Sequence, residues 1–285
     1  MDAPDWLDRR EYPFESHYCE LPAGRLHYVD EGRGEGAPLV LLHGQPTWSF
    51  MYRKLIRGLA AGHRCIAVDH MGFGLSDKPR QWSYTPRDHA ANLGALVDQL
   101  GLERVSLLVH DWGGPIGLGW AVEHAERVDR VIALDTWMWS MAEHRAGRLF
   151  SHLMGSAAGG WATRRWNLFV EVFLKRALGE RFAEVGPAYR GPLARPEDRT
   201  GCALFPRELL SPWLAELWER RAALSGKRAL LVWGERDPAF PAPMRERLAS
   251  VFGEARVELQ PGVGHFVAEE MGEALVPIVD RFLRE

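Results

Sequence analysis

The stretch VSLLVHDWGGPIGLGWAVEHA (105–125) decides the fold of this chain. Its opening residues are almost wholly apolar and predict a buried strand, and the glycine-spaced run after them predicts a helix. Asp111 stands where the strand gives way to the helix. A sharp turn in this position, a nucleophile elbow, lifts one side chain out of a sheet. The stretch therefore predicts a strand, an elbow with Asp111 at its tip, and a helix.

The same alternation of strand and helix extends along much of the chain. Further strands are predicted at PLVLLHG (38–44), CIAVD (65–69), RVIALD (130–135) and RALLVWG (228–234), with helical patterns over 48–60 and 89–101. Short, fully apolar strands between helices indicate a parallel sheet covered on both faces. A hairpin is predicted before this sheet, and a final strand and helix after it, at 17–21 with 25–32, 257–262 and 267–285.

One long segment interrupts the alternation. Residues 137–215 are aromatic and helical in pattern, without a convincing strand, and the sheet resumes only at 228. We interpret this segment as a helical cap domain inserted into a core domain made of residues 1–136 and 216–285. The loops at the carboxyl edge of the sheet would then lie beneath the cap, where a site can form.

Composition excludes several classes of function. The formal net charge is -3, so there is no basic excess that would neutralise a nucleic acid backbone. The amino-terminal residues lack the apolar segment of a secretory signal, and no stretch reaches the roughly 18 apolar residues of a membrane span. We therefore expect a cytoplasmic protein with neither nucleic acid nor membrane as a partner. The three cysteines are widely spaced, so neither disulfides nor a zinc site is expected.

A carboxylate at the elbow suits displacement at saturated carbon. It is ionised at neutral pH and needs no base for its attack, whereas the serine more usual at such turns attacks a carbonyl carbon. The alternative is an aspartate that only caps the following helix. Because Trp112, Gly113 and Gly114 follow Asp111 directly, we prefer the nucleophile.

Two other loops supply candidate partners for Asp111. The run His43-Gly44-Gln45-Pro46 follows a predicted strand, where the backbone N–H groups of Gln45 and Trp112 could converge as an oxyanion hole. Of the eleven histidines, His265 follows the last predicted strand. Chain order in such architectures places the general base there, after the nucleophile and the acid. Its role would be to deprotonate the hydrolytic water.

The carboxylate that orients His265 has two candidates. Asp135 and Asp237 both end predicted core strands, so residue spacing alone leaves both open. Asp237 follows the strand after the insertion and lies in a turn-forming run, Gly234 to Pro238. We prefer Asp237 as the acid and keep Asp135 as the possible alternative.

With these residues in hand, the sequence resembles the haloalkane dehalogenases over roughly residues 25–285. The motifs that carry the resemblance are HGQPTWSFMYRKLI (43–56), DHMGFGLSDKP (69–79), VHDWGGPIGL (109–118), WGERD (233–237) and GVGHF (262–266). The resemblance implies an α/β-hydrolase fold with a helical cap and no cofactor. It also implies a haloalkane and water as substrates, with a covalent alkyl ester on Asp111 that water then hydrolyses.

The resemblance further implies a departing halide held between two side-chain N–H donors. Trp112 matches the position of one donor. The other is Gln45, where much of the family has asparagine, or else Trp48 or a cap tryptophan such as Trp166. Indole and amide N–H groups suit this task because a halide leaving a dry pocket cannot be solvated by water.

Two other functions compete. Epoxide hydrolases share the aspartate nucleophile but use two cap tyrosines to protonate the epoxide oxygen, and Tyr189 is the only tyrosine in 137–215. A non-catalytic receptor on the same fold would be expected to have lost part of the triad. Asp111, Asp237 and His265 are all present. The preferred halide and chain length, and whether the protein is a monomer or a homo-oligomer, stay open.

Overall fold

A single mixed sheet forms the centre of the computed structural model, which describes residues 4–285. Its eight strands lie in the order β1-β2-β4-β3-β5-β6-β7-β8. The strands are His17–Leu21 (β1), Gly24–Glu31 (β2), Leu39–Leu42 (β3), Cys65–Val68 (β4), Val105–Asp111 (β5), Val128–Thr136 (β6), Arg228–Gly234 (β7) and Glu254–Gln260 (β8).

The first two strands form the expected hairpin, and β2 also pairs antiparallel with β4. All the remaining pairs are parallel. Every residue of β3, β4 and β5 is buried. This agrees with their unbroken apolar sequences, because strands covered on both faces show no polar alternation. The predicted mostly parallel α/β sheet is confirmed.

Twelve α-helices complete the described chain. They are Arg53–Leu59 (α1), Pro86–Gln99 (α2), Gly113–Glu123 (α3), Arg145–Met154 (α4), Ala157–Trp166 (α5), Lys175–Leu178 (α6), Phe182–Arg190 (α7), Thr200–Glu208 (α8), Pro212–Glu219 (α9), Ala242–Ala249 (α10), Val267–Met271 (α11) and Val276–Arg284 (α12). The sheet is covered by two groups of helices, in which α2 packs against α3 and α1 against α12.

The expectation of one closing helix over 267–285 was wrong. The chain forms α11, a short 3-10 turn over Gly272–Leu275 and then α12. Gly272 has a φ of 56°, a left-handed conformation that ends a helix and that glycine adopts without strain. The final strand also begins earlier than the predicted 257–262, at Glu254.

Between β6 and β7 the described elements are all helical, including a π-helical segment at Phe169–Leu174. The boundary expected at residue 215 falls inside α9. That helix packs closely against α3. The ring of Trp213 in α9 lies so near Gly119 in α3 that a Cβ on Gly119 would be only 2.3 Å from it. We propose that the cap ends before Pro212 and that α9 belongs to the core domain.

The three cysteines are buried and unbonded to one another. Within residues 4–285, no helix is both long and apolar enough to cross a membrane.

Candidate active site

Asp111 lies at the tip of a tight elbow between β5 and α3. Its φ is 48°, in the left-handed region that non-glycine residues rarely adopt. The turn can be this tight because the residues at 113 and 114 are glycines, which have no side chain to clash with the surrounding backbone and side chains. A Cβ on Gly113 would lie 2.1 Å from the carbonyl oxygen of Leu42, and one on Gly114 would lie 1.8 Å from Thr136 Oγ1. The backbone thus presents the Asp111 side chain at the carboxyl edge of the sheet.

Backbone N–H groups hold one side of the Asp111 carboxylate. Gln45 N donates to Asp111 Oδ1 at 2.8 Å, and Trp112 N also bonds to this carboxylate. A side chain on Gly44 could not fit, because its Cβ would lie 2.2 Å from Oδ1. Burial raises the pKa of Asp111, while His265 and the two backbone donors oppose that rise. The donors expected from the Gln45 and Trp112 backbone therefore both bond to the Asp111 carboxylate.

His265 follows β8 and faces the other oxygen of the nucleophile candidate. Its Nε2 lies 3.7 Å from Asp111 Oδ2, and its Nδ1 lies 2.9 Å from Asp237 Oδ2. Burial lowers the pKa of His265, but the carboxylates of Asp237 and Asp111 outweigh it and raise the pKa to about 9. The side chains of Asp111 and His265 remain 13% and 12% exposed, so neither is sealed from solvent.

The two candidate acids occupy different places. Asp237 contacts His265 and accepts a hydrogen bond from Ala239 N at 2.7 Å. Burial raises the pKa of Asp237, but its bond to His265 outweighs this effect and the pKa is lowered. Asp135 is fully buried and accepts from Gly234 N at 3.2 Å. Burial and the charge of Asp237 raise its pKa well above the usual range, and a side-chain hydrogen bond joins it to Asp237.

Asp135 therefore lies next to Asp237, whose charge together with burial raises the pKa of the Asp135 carboxyl. Asp135 and Asp237 lie near the ends of two parallel strands that end at the same edge of the sheet. The spacing of residues in the sequence therefore could not show which of them contacts His265.

Three of the side chains considered as halide donors are engaged or exposed. Gln45 Nε2 donates to Cys202 O in the cap at 2.8 Å. Trp48 Nε1 donates to Ala188 O, also in the cap, at 3.0 Å. Trp166 is 51% exposed and packs against Trp161 on the cap surface. Trp112 is buried and its ring stacks on Phe205.

Trp137 was not singled out from the sequence as a site residue. Its ring centroid lies 4.8 Å from that of Trp112, and its other face stacks on Phe240, which contacts His265. The indole Nε1 is buried without a hydrogen-bond partner among residues 4–285. The sequence did contain a signal that Trp137 belongs to the site, because it lies two residues after Asp135, at the end of a predicted strand.

The only tyrosine of the 137–215 segment has a structural partner. Tyr189 is buried, and its hydroxyl donates to Glu269 Oε2 at 2.5 Å. Arg53 binds the same carboxylate, with Nη1 at 2.7 Å from Oε2. Tyr189 is therefore committed to a buried ion pair and does not provide a free hydroxyl of the kind that an epoxide would need.

No group of three or more side chains suited to a metal ion occurs within the described part of the chain.

Comparison with known proteins agrees with this geometry. The family described as alpha/beta hydrolase fold matches residues 37–271. Haloalkane dehalogenase 2 of Mycobacterium tuberculosis is 40% identical over 281 residues, which cover 96% of this chain and 97% of that protein. The cis-3-alkyl-4-alkyloxetan-2-one decarboxylase of Xanthomonas campestris is 32% identical, covering 92% of this chain and 93% of its own.

Among solved structures, the crystal structure of haloalkane dehalogenase DbeA from Bradyrhizobium elkani USDA94 superimposes with a TM-score of 0.85 at 27% identity. It covers 95% of this chain and 98% of that one. With an aspartate at the elbow and a relative 40% identical over almost the whole length, the chain belongs to the α/β-hydrolase fold family and, within it, to the haloalkane dehalogenases.

Proposed function

We propose that this protein hydrolyses haloalkanes to an alcohol and a halide ion, with Asp111 as the nucleophile. The observation that carries the proposal is a carboxylate at the elbow, with one oxygen held by Gln45 N and the other facing His265. Asp237 orients that histidine through its Nδ1.

In the first step, Asp111 Oδ2 attacks the carbon that bears the halogen. Oδ2 is the attacking atom because Oδ1 accepts the hydrogen bond from Gln45. A carbon–oxygen bond forms, the carbon–halogen bond breaks, and the halide leaves with the bonding electron pair. The product is an alkyl ester of Asp111, whose carbonyl oxygen is Oδ1 and already lies at the backbone donors.

In the second step, His265 removes a proton from water, which attacks the Cγ carbon of that ester. The negative charge that develops on Oδ1 is stabilised by the N–H groups of Gln45 and Trp112. Collapse releases the alcohol, whose oxygen takes the proton from His265, and leaves Asp111 as a carboxylic acid. Loss of the second proton of the water to solvent regenerates the carboxylate. Esterification removes the charge of Asp111 from beside His265, which lowers the pKa of the imidazole and favours the neutral form that acts as a base.

For the halide, we propose Trp112 as one donor and Trp137 as the other. Gln45 would then contribute through its backbone N–H, because its side-chain amide is bonded to Cys202 O. Trp137 suits the second place because its buried Nε1 has no acceptor among the described residues and its ring contacts that of Trp112. An anion between two indole N–H groups would satisfy an otherwise unpaired buried donor.

Decarboxylation of an oxetan-2-one is a second candidate, favoured by the 32% identical relative from Xanthomonas campestris. The epoxide hydrolase alternative lacks support, since Tyr189 donates to Glu269. A receptor function would leave the assembled triad without a purpose.

A panel of substrates separates these functions. Purified protein is incubated with 1-bromobutane, 1,2-dibromoethane, styrene oxide and a cis-3,4-dialkyloxetan-2-one, and bromide, diol and carbon dioxide are measured. Bromide release abolished by Asp111→Asn would support the dehalogenase. Carbon dioxide without bromide would favour the decarboxylase, diol alone would favour the epoxide hydrolase, and no product at all would favour a receptor.

Trapping tests the mechanism itself. His265→Phe removes the base but keeps the nucleophile, so exposure to 1-bromobutane should add one butyl group to the peptide that contains Asp111. His89→Phe replaces another buried histidine, which has no hydrogen-bond partner among residues 4–285. This variant should hydrolyse the substrate normally, without an adduct.

We further propose a cytoplasmic location and no nucleic acid partner, in line with the net charge of -3.

A further inference from the structure

An apolar surface lies on the cap, formed by residues outside the triad. Within residues 4–285, six of the eight exposed large hydrophobic side chains fall between positions 149 and 173. We name them the cap patch: Leu149, Leu153, Trp161, Trp166, Val172 and Phe173. Exposed apolar clusters of this kind mark interaction sites.

The cap patch is built from neighbouring elements. Leu149 and Leu153 are one turn apart on α4 and are 60% and 61% exposed. Phe173 joins them through Phe150, whose ring centroid lies 5.8 Å away. The next helix, α5, packs against α4 and carries the Trp161–Trp166 pair, with centroids 5.0 Å apart. In α4 only Ser151 is buried, so most of the helix surface is available to a partner.

The charged side chains in the segment that carries the patch are almost all basic. Residues 145–176 contain six Arg or Lys and one acidic residue, a net charge of +5 in a chain whose total is -3. Glu171, the acidic one, pairs with Arg190. None of the six cations makes an ion pair within the part of the chain that the structure describes. They are Arg145, Arg148, Arg164, Arg165, Lys175 and Arg176.

This combination fits one kind of partner. Unpaired cations around tryptophan and leucine side chains are the features of a protein surface that lies on an anionic bilayer. A second copy docked patch to patch would bring two charges of +5 together and would be repelled. We propose that the cap patch docks on the surface of a membrane containing anionic lipids. The expectation of no membrane partner rested on the lack of a spanning segment, which docking does not need.

Vesicle cosedimentation tests the proposal independently of any catalytic activity. The full chain is mixed with vesicles of equimolar phosphatidylcholine and phosphatidylglycerol, and with phosphatidylcholine alone. We expect binding to the first kind, weaker binding in high salt, and little binding to the second. Each basic residue near an anionic surface contributes about 1 kcal/mol, or about fivefold in the partition coefficient. Arg165→Gln with Arg176→Gln should therefore reduce binding about 25-fold.

Matched variants elsewhere on the surface serve as controls. Arg33→Gln with Arg87→Gln removes two exposed cations outside the patch, and Val257→Gln with Leu259→Gln removes two exposed apolar side chains from β8. Both controls should bind as the unmodified protein does. Leu149→Gln with Leu153→Gln should bind at least tenfold more weakly.

Three results would overturn the proposal. The unmodified protein could stay in the supernatant with phosphatidylglycerol vesicles, or the controls could lose as much binding as the patch variants. Analytical ultracentrifugation could also show an oligomer that Leu149→Gln with Leu153→Gln converts to monomers, without any vesicle binding. The patch would then be a contact between copies of the chain. All variants should retain their activity on dissolved substrate, because none alters the triad.

Discussion

Asparagine in place of Asp237 keeps the size of the side chain and removes its charge. In the native protein, Asp237 Oδ2 lies 2.9 Å from His265 Nδ1. The pKa of His265 stands at about 9, although burial opposes this, and Asp237 is the strongest of the groups that raise it. Without that carboxylate, we expect the pKa to return toward the ordinary value of about 6.5.

A fall of about 2.5 pKa units corresponds to about 3 kcal/mol, or a factor of about 300. This is the basicity that His265 would lose in activating water. Attack by Asp111 needs no base, so the alkylation step should keep its rate. Part of this basicity comes from Asp111, which is already esterified when water is activated. We therefore expect Asp237→Asn to release about one bromide per enzyme molecule in a rapid burst, followed by turnover slowed by at most about 300-fold.

Stopped-flow measurement of bromide release from 1,2-dibromoethane separates the two steps. Asp135→Asn is the matched control, because it makes the same chemical change at a carboxyl that does not contact His265. Its amide can still donate to Asp237, so turnover should fall by about tenfold or less. Our reasoning would be refuted if Asp237→Asn hydrolysed its ester within about tenfold of the native rate, or if Asp135→Asn were the more severe change.

Three further outcomes are expected. The pKa of His265 is about 9 when folded and about 6.5 when unfolded. Its stabilising contribution of about 3 kcal/mol should be complete below pH 6.5 and lost as the pH rises through 9. Urea unfolding from pH 6 to 10 should show this loss in the native protein and not in His265→Gln, and equal slopes would contradict it. Trp137→Phe keeps the aromatic ring and removes a buried donor, so calorimetric titration with sodium bromide should show affinity reduced about tenfold. Trp48→Phe should not change that affinity, and equal affinities in all three proteins would exclude Trp137 as a donor. Gly114→Ala should lower the free energy of unfolding by about 1 to 3 kcal/mol or more, because its Cβ would lie 1.8 Å from Thr136 Oγ1. Gly226→Ala, with open space around its Cβ, should be close to neutral in the same denaturation assay.

Much of the core fold could be predicted from the sequence because its signals are local. The apolar strands β3 to β7 and the glycines after Asp111 each identify an element or a turn without reference to distant residues. The end of the chain was harder to predict. Its amphipathic pattern continues through Gly272, and only the left-handed conformation of that residue divides the helix.

The details of the site depended on contacts between distant residues. Gln45 bonds to a carbonyl 157 positions later, and Trp48 to one 140 positions later. Nothing local to either residue indicates that its N–H group is engaged. The two candidate acids also lie close together in the fold, Asp135 near the end of β6 and Asp237 in the loop after the neighbouring β7. Only the position of His265 distinguishes them.

Hydrogen bonds join the cap to two segments near the candidate site, the loop that contains Gln45 and Trp48 and the helix α11. Gln45 donates its backbone N–H to Asp111 and its side chain binds the cap. Trp48 lies three residues further along that loop, and Glu269 lies four residues beyond His265. We therefore expect that the cap could not easily be replaced by the cap of another protein. A chimaera that imported another cap to change substrate range would need groups in that cap equivalent to Cys202 O, Ala188 O and Tyr189, to bond with Gln45, Trp48 and Glu269. Because a new cap would have to meet this requirement, we expect substrate specificity in this enzyme to evolve by substitutions within its existing cap.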